Sequence, residues 1–157
     1  MDAMTLSALR WFKAALVFQV LLVGYWLTIQ TVDLFPWNDV VSGPASDDLR
    51  LSIAIKILPL LALMAIFALG VPILGMVSVA GFAIYLAVQL WFWWKPYAWG
   101  ANAEEQAAYA EGFSRTMKVL PTYGTHLPPD TQHIVLHVLI LLTLIASVIA
   151  AARMRHL

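Results

Sequence analysis

Cysteine is absent from the 157 residues. Disulfides, thiolate nucleophiles and cysteine-ligated zinc or iron–sulfur centres are excluded with it, and so are small four-helix thiol oxidoreductases. Charge is the second shortage: 11% of residues are Asp, Glu, Lys or Arg, against about 25% in a soluble domain. The nine basic and nine acidic residues cancel, so no basic field points to nucleic acid as a partner. The chain also lacks a phosphate-cradling glycine loop, a Gly-x-Ser-x-Gly elbow and an N-glycosylation triplet.

What is abundant is apolar surface. Hydrophobic residues make up 62% of the chain, and the mean hydropathy is +0.81. Four stretches, 14–32, 51–70, 72–94 and 132–152, reach the roughly 20 residues that cross a hydrocarbon core of about 30 Å. The first follows Arg10 and Lys13 as a signal peptide would. It ends on Gln30-Thr31-Val32-Asp33 rather than on a small-x-small cleavage site, so it reads as a retained span. The expected fold is an all-α, integral-membrane four-helix bundle in one domain.

The flanks set an expected orientation. Arg10 and Lys13 precede the first span, and Arg153 and Arg155 follow the last. Eight of the nine acids (Asp33, Asp39, Asp47, Asp48, Glu104, Glu105, Glu111, Asp130) lie in loops 33–50 and 95–131. Positive charge stays on the cytoplasmic side, which puts both termini there and both loops outside. A bacterial inner membrane suits this pattern, with Trp37, Trp91, Trp93, Trp94 and Trp99 as an outer belt and Trp11 on the inner side.

Local signals fill in the rest. Gly70-Val71-Pro72 leaves almost no loop between the second and third spans, and Pro72 suits a first helical turn. Pro59 frees a carbonyl near Ile55 and bends the second span, which Ser46 or Asp47 would cap. Pro96 is expected to end the third span, and Gly100 to permit a turn. In the long loop, Asn102 and Glu105 make a capping pair. Tyr109, Phe113, Met117 and Leu120 recur at helical spacing. They predict a short amphipathic helix over 103–119, ended by Pro121. Asp130 sits where a helix start favours an acid.

Two constellations carry possible chemistry. Lys56 lies inside an apolar run, and Gln30, Gln89 and His137 fall at similar depths in the other three. Lysines within spans face a cavity or a partner, so these residues, with Tyr85, are candidate ligand contacts, and Asp33 and Asp39 are the expected counter-ions, with Glu104 or Glu105 as second choices. Snorkelling of Lys56 to nearby water is the competing explanation. Span one carries the stripe Gln19–Val23–Trp26–Gln30, and span three Gly75–Ser78–Gly81–Tyr85–Gln89.

The second constellation is Gln132-His133-Ile134-Val135-Leu136-His137. Histidines four apart share a helical face, the spacing of a shared metal ion. His126 and Asp130 could complete a divalent-metal site with His133 and His137. Against it, the motif has no internal glutamate, no Glu-x-x-His pair and no second ligand helix for haem. Ordinary hydrogen bonding would also account for both histidines. His137, His133 and Lys56 are the candidate acid, base or anion-stabilising groups of an enzyme. Lys95 and Tyr97 could line a pocket mouth.

Phe35-Pro36-Trp37-Asn38, the Trp93-Trp94-x-Pro96-Tyr97 to Gly100 stretch and Pro129-Asp130-Thr131-x-His133-x-x-x-His137 together resemble a group of small bacterial four-span membrane proteins. That resemblance implies a four-span fold with an outward-facing cap and carries no known activity, substrate or catalytic residue. Two functions are consistent with the residues. One is an outward-facing polar pocket for a small or lipidic molecule, with or without a metal. The other is an accessory or structural subunit of a larger membrane complex, or a homo-oligomer, using small-residue faces such as Ala146–Ala150 and Ser147–Ala151. Transport would need an oligomer, because the inner halves of the helices are almost wholly apolar.

Overall fold

The computed structural model describes residues 2–41 and 49–156. Five helices make up the all-α chain: α1 (Ala3–Thr31), α2 (Leu49–Ala68), α3 (Pro72–Trp99), α4 (Ala103–Gly112) and α5 (Thr131–Arg153), with a 3-10 turn at Met154–His156. α1, α3 and α5 are long and apolar enough to cross a membrane, while the apolar part described in α2 is the shorter Ile53–Ala68. Three such helices mark an integral membrane protein. Each long helix packs on two neighbours in the cyclic order α1, α2, α3, α5.

Buried apolar side chains form two clusters along this bundle. Near the loop end, Leu22, Trp26 and Ile29 of α1 meet Ile57 and Leu60 of α2, Phe82 of α3, and Leu136 and Ile140 of α5. Near the chain termini, Ala15, Phe67, Ala146, Ala150 and Met154 close the other end. Between them Gln19 donates to Ser147 Oγ at 3.1 Å, and Thr143 Oγ1 donates to the carbonyls of Phe18 and Leu139. The small residues Ala146, Ser147 and Ala150 are buried inside the protein. They let α1 and α5 approach each other and are not the outward contact faces expected of them.

Helix ends explain the departures from expectation. α3 runs through Pro96 and stops at Gly100, whose φ of 85° and ψ of 147° suit glycine alone. The carbonyl that Pro96 leaves without a partner is that of Phe92, on an exposed part of the helix. α2 likewise continues through Pro59, and Gly70 (φ 69°) makes the tight turn into α3. α4 has the expected capping box between Asn102 and Glu105. It ends at Gly112 rather than at residue 119. Past its end Lys118 Nζ donates to the carbonyls of Phe113, Ser114 and Thr116, so the chain curls around the ammonium. The cap expected from Ser46 or Asp47 lies outside the described residues.

The two loops are joined to each other and to α5. Asn38 is buried and holds the first loop, donating to the Ile29 and Val32 carbonyls and accepting from Leu34 N. Met117 N donates to Pro36 O, and Met117 O accepts from both Thr131 N and Thr131 Oγ1. Trp37 Nε1 donates to Tyr25 Oη, which donates to the Gln132 carbonyl at 2.8 Å.

Candidate functional site

Asp130 is the most heavily bonded side chain at this end of the bundle, and it is fully buried. Its position as N-cap of α5 follows from its short acceptor side chain, which takes His133 N at 3.1 Å. The same Oδ1 takes His133 Nδ1 at 2.6 Å. Oδ2 accepts from Gln132 Nε2 at 2.9 Å and Thr116 Oγ1 at 3.1 Å. A carboxylate can only accept, so Nδ1 of His133 carries a proton. Burial works to raise the Asp130 carboxyl, but the His133 contacts, Gln132 and the helix amide outweigh it and hold it below the usual 3.8.

Aromatic rings enclose His133. Trp93 stacks on it with centroids 3.5 Å apart, and Phe113 and Trp26 meet it edge-on at 5.6 and 6.3 Å. Trp26 is the hub of the layer expected around Lys56. Its ring lies under Lys56 Nζ at 5.4 Å, and its indole N–H donates to Tyr85 Oη, with Gln89 beside that hydroxyl. Lys56 is also within electrostatic reach of His133. Trp26 thus stands between Lys56 and Tyr85, and Gln89 lies beside Tyr85. Gln30 is half-buried near the end of α1.

The expected counter-ions are engaged elsewhere. Asp39 pairs with Arg115 at 3.5 Å, and Asp33 Oδ1 accepts from Val40 N. Among the described residues no carboxylate forms an ion pair with Lys56. The loop folds back on itself around Asn38, and this draws both acids toward loop partners.

His137 faces a different neighbour. Trp94 Nε1 donates to its Nδ1 at 3.1 Å. An indole N–H only donates, so the neutral ring carries its proton on Nε2. That atom is buried and has no partner among the described residues, as is true of Gln132 Oε1. His126 Nδ1 bonds the Tyr97 carbonyl at 2.8 Å. Of the four residues expected around a metal, the structure joins only Asp130 and His133. Among the described residues no three His, Asp or Glu side chains converge as a metal site would need.

A cavity of about 320 Å³ lies between α3, α4 and the chain leading into α5. Its wall is Phe92, Trp93 and Pro96 on one side, Glu105, Ala108, Tyr109 and Phe113 on the second, and Leu127 and Pro128 on the third. Trp93 and Phe113 therefore serve both the cavity and His133. Glu105 is held at the rim by Lys95 at 2.6 Å and accepts from Asn102 N with its other oxygen. Lys95, then the Asn102 amide, keep its carboxyl below the usual 4.5. Tyr109 Oη donates to Pro128 O at 2.8 Å, and burial, then the Asp130 charge, push that hydroxyl well up.

Lys56, Gln30, Gln89 and His137 do not line this cavity. Sequence reasoning passed over its wall: Phe92, Trp93, Ala108 and Leu127 were not among the candidates. One signal was present. Trp93 continues the stripe Tyr85–Gln89 by one more helical turn, onto the face already read as pointing inward. No family model matches the chain, and neither a curated protein nor a solved structure shows significant similarity to it.

Proposed function

We propose that the chain is a four-span membrane protein that binds a small or lipidic molecule in an outward-facing pocket between α3 and α4. The observation that carries the reading is the cavity of about 320 Å³, whose walls Trp93 and Phe113 are the rings that clamp His133. Small-molecule sites are concave, mostly apolar and about 300–1,000 Å³. This one is supported by a buried, fully bonded Asp130, which fixes the start of α5.

The fourth span is α2. Its 20 residues extend about 30 Å at 1.5 Å per residue, and the Gly70 turn returns the chain directly into α3. Arg10, Lys13, Arg153 and Arg155 support a topology with both termini on the cytoplasmic side and the acidic loops outside. A bacterial inner membrane is the setting this charge pattern suits.

Gentle purification followed by native mass spectrometry tests the pocket. The wild-type chain is expected to carry a bound mass. Ala108→Trp, which fills the cavity from α4, should lose that mass while keeping helical content and elution volume. A wild-type chain with no bound mass, or a bound mass that Ala108→Trp retains, overturns the reading. Stoichiometric protein partners in such a preparation without a bound small molecule would favour the accessory-subunit alternative.

A further inference from the structure

Resting on that pocket, we infer that its occupant is an acyl chain of an outer-leaflet membrane lipid, entering past Phe92. The wall offers no free charge or hydroxyl. Glu105 has one oxygen on Lys95 and the other on the Asn102 amide, and the Tyr109 hydroxyl is committed to Pro128 O. The remaining wall is Phe, Trp, Pro, Ala and Leu. An open cleft with so apolar a wall favours an uncharged apolar body.

The direction of entry follows from exposure. Phe92 is a wall residue yet remains 70% exposed, and Trp91, next to it in the chain, and Trp99 are 62% and 73% exposed. Trp91 and Trp99 pack on each other at 6.2 Å. Large apolar rings left open at the end of a membrane-length helix belong in the lipid interface. The cavity is therefore continuous with the surface that lipid covers. The Lys95–Glu105 pair at its rim, about 30% exposed on each side, lies at the level where a headgroup meets a chain.

The test reconstitutes the full chain in nanodiscs made with a phospholipid bearing a photoactivatable diazirine midway along one acyl chain. A parallel arm supplies the same diazirine on a free fatty acid. Adducts are mapped by mass spectrometry and normalised to those on Val17 and Leu21, exposed on α1. The phospholipid is expected to label Trp93, Tyr109 and Phe113 above that reference. Ala108→Trp should reduce the enrichment about tenfold, equivalent to about 1.4 kcal/mol of binding. Uniform labelling in the wild type, or enrichment that survives Ala108→Trp, overturns the inference. Enrichment with the free acid alone also overturns it. If native mass spectrometry finds a non-lipid mass that Ala108→Trp displaces, the lipid assignment fails and the pocket stands. If nothing is displaced, both fail.

Discussion

Replacing Asp130 gives the sharpest check on how the loop end is held together. Asp130→Ala deletes four accepted hydrogen bonds at once. Loss of an N-cap costs about 1 kcal/mol. His133 Nδ1–H and the Gln132 amide are then left as buried donors, at about 1–3 kcal/mol each. The Thr116 hydroxyl has a second acceptor in the Phe113 carbonyl at 2.9 Å and adds little. The expected loss is about 3–7 kcal/mol.

Asp130→Asn is the informative partner. Asparagine caps as well as aspartate. The Gln132 amide can turn over to present its unpartnered Oε1 to the new NH2 group. Only the charge-assisted share is lost, about 1–2 kcal/mol. Reversible unfolding in mixed micelles, followed by tryptophan fluorescence, measures both variants. Equal effects from Ala and Asn, or a loss below about 1 kcal/mol for Ala, would refute the account.

The pH dependence has a definite sign. Asp130 in the folded protein titrates below 3.8. Its stabilisation is thus fully present above 3.8 and lost as pH falls below that value. The gap between wild type and Asp130→Asn should hold steady from neutrality to about pH 5 and close in stronger acid.

The remaining predictions concern the frame. Gly100→Ala puts a side chain at φ 85°, with Cβ 3.0 Å from Thr125 Oγ1. It should cost about 1–3 kcal/mol and lower the thermal midpoint. Gln19→Leu removes an unpartnered buried oxygen, and the Ser147 hydroxyl can turn to its own helix. Stability should change by no more than about 1 kcal/mol in either direction, and a loss above about 2 kcal/mol would contradict the assignment of Gln19. Lys95→Met removes an ion pair that is about 30% exposed on both sides. It should leave unfolding essentially unchanged and abolish whatever salt dependence that pair supplies.

Much of this architecture was legible in the sequence because its signals are local. Long apolar runs became the long helices, Asn102 and Glu105 became a capping box, and Asp130 became an N-cap. These depend on spacing within one segment. Of the layer expected at one depth, Lys56 reaches the Trp26 ring and Gln89 lies beside Tyr85, while His137 bonds Trp94 instead. What could not be read was which side chain stands between Lys56 and Tyr85. Nothing local to Trp26 says that it rather than a ligand fills the space beneath Lys56.

Range was the other difficulty. The end of α4 depended on Lys118 reaching back to three carbonyls, which helical periodicity over Tyr109, Phe113 and Met117 does not encode. The Trp93–His133 stack joins residues 40 positions apart. The loop partners of Asp33 and Asp39 follow from how Asn38 folds the first loop. Pro96 suggests a helix stop because proline costs a helix one bond. That bond is lost on an exposed face, where water or headgroups supply a substitute.

Met117 contributes its main chain, not its thioether, to the junction of three segments. Its amide goes to residue 36 and its carbonyl to residue 131, so any amino acid except proline can serve as the rivet. Tension on the first loop is then delivered directly to the root of α5, a few ångströms from the aspartate that anchors it. The cap is mechanically one plate whose hinge leaves no signature in side-chain chemistry.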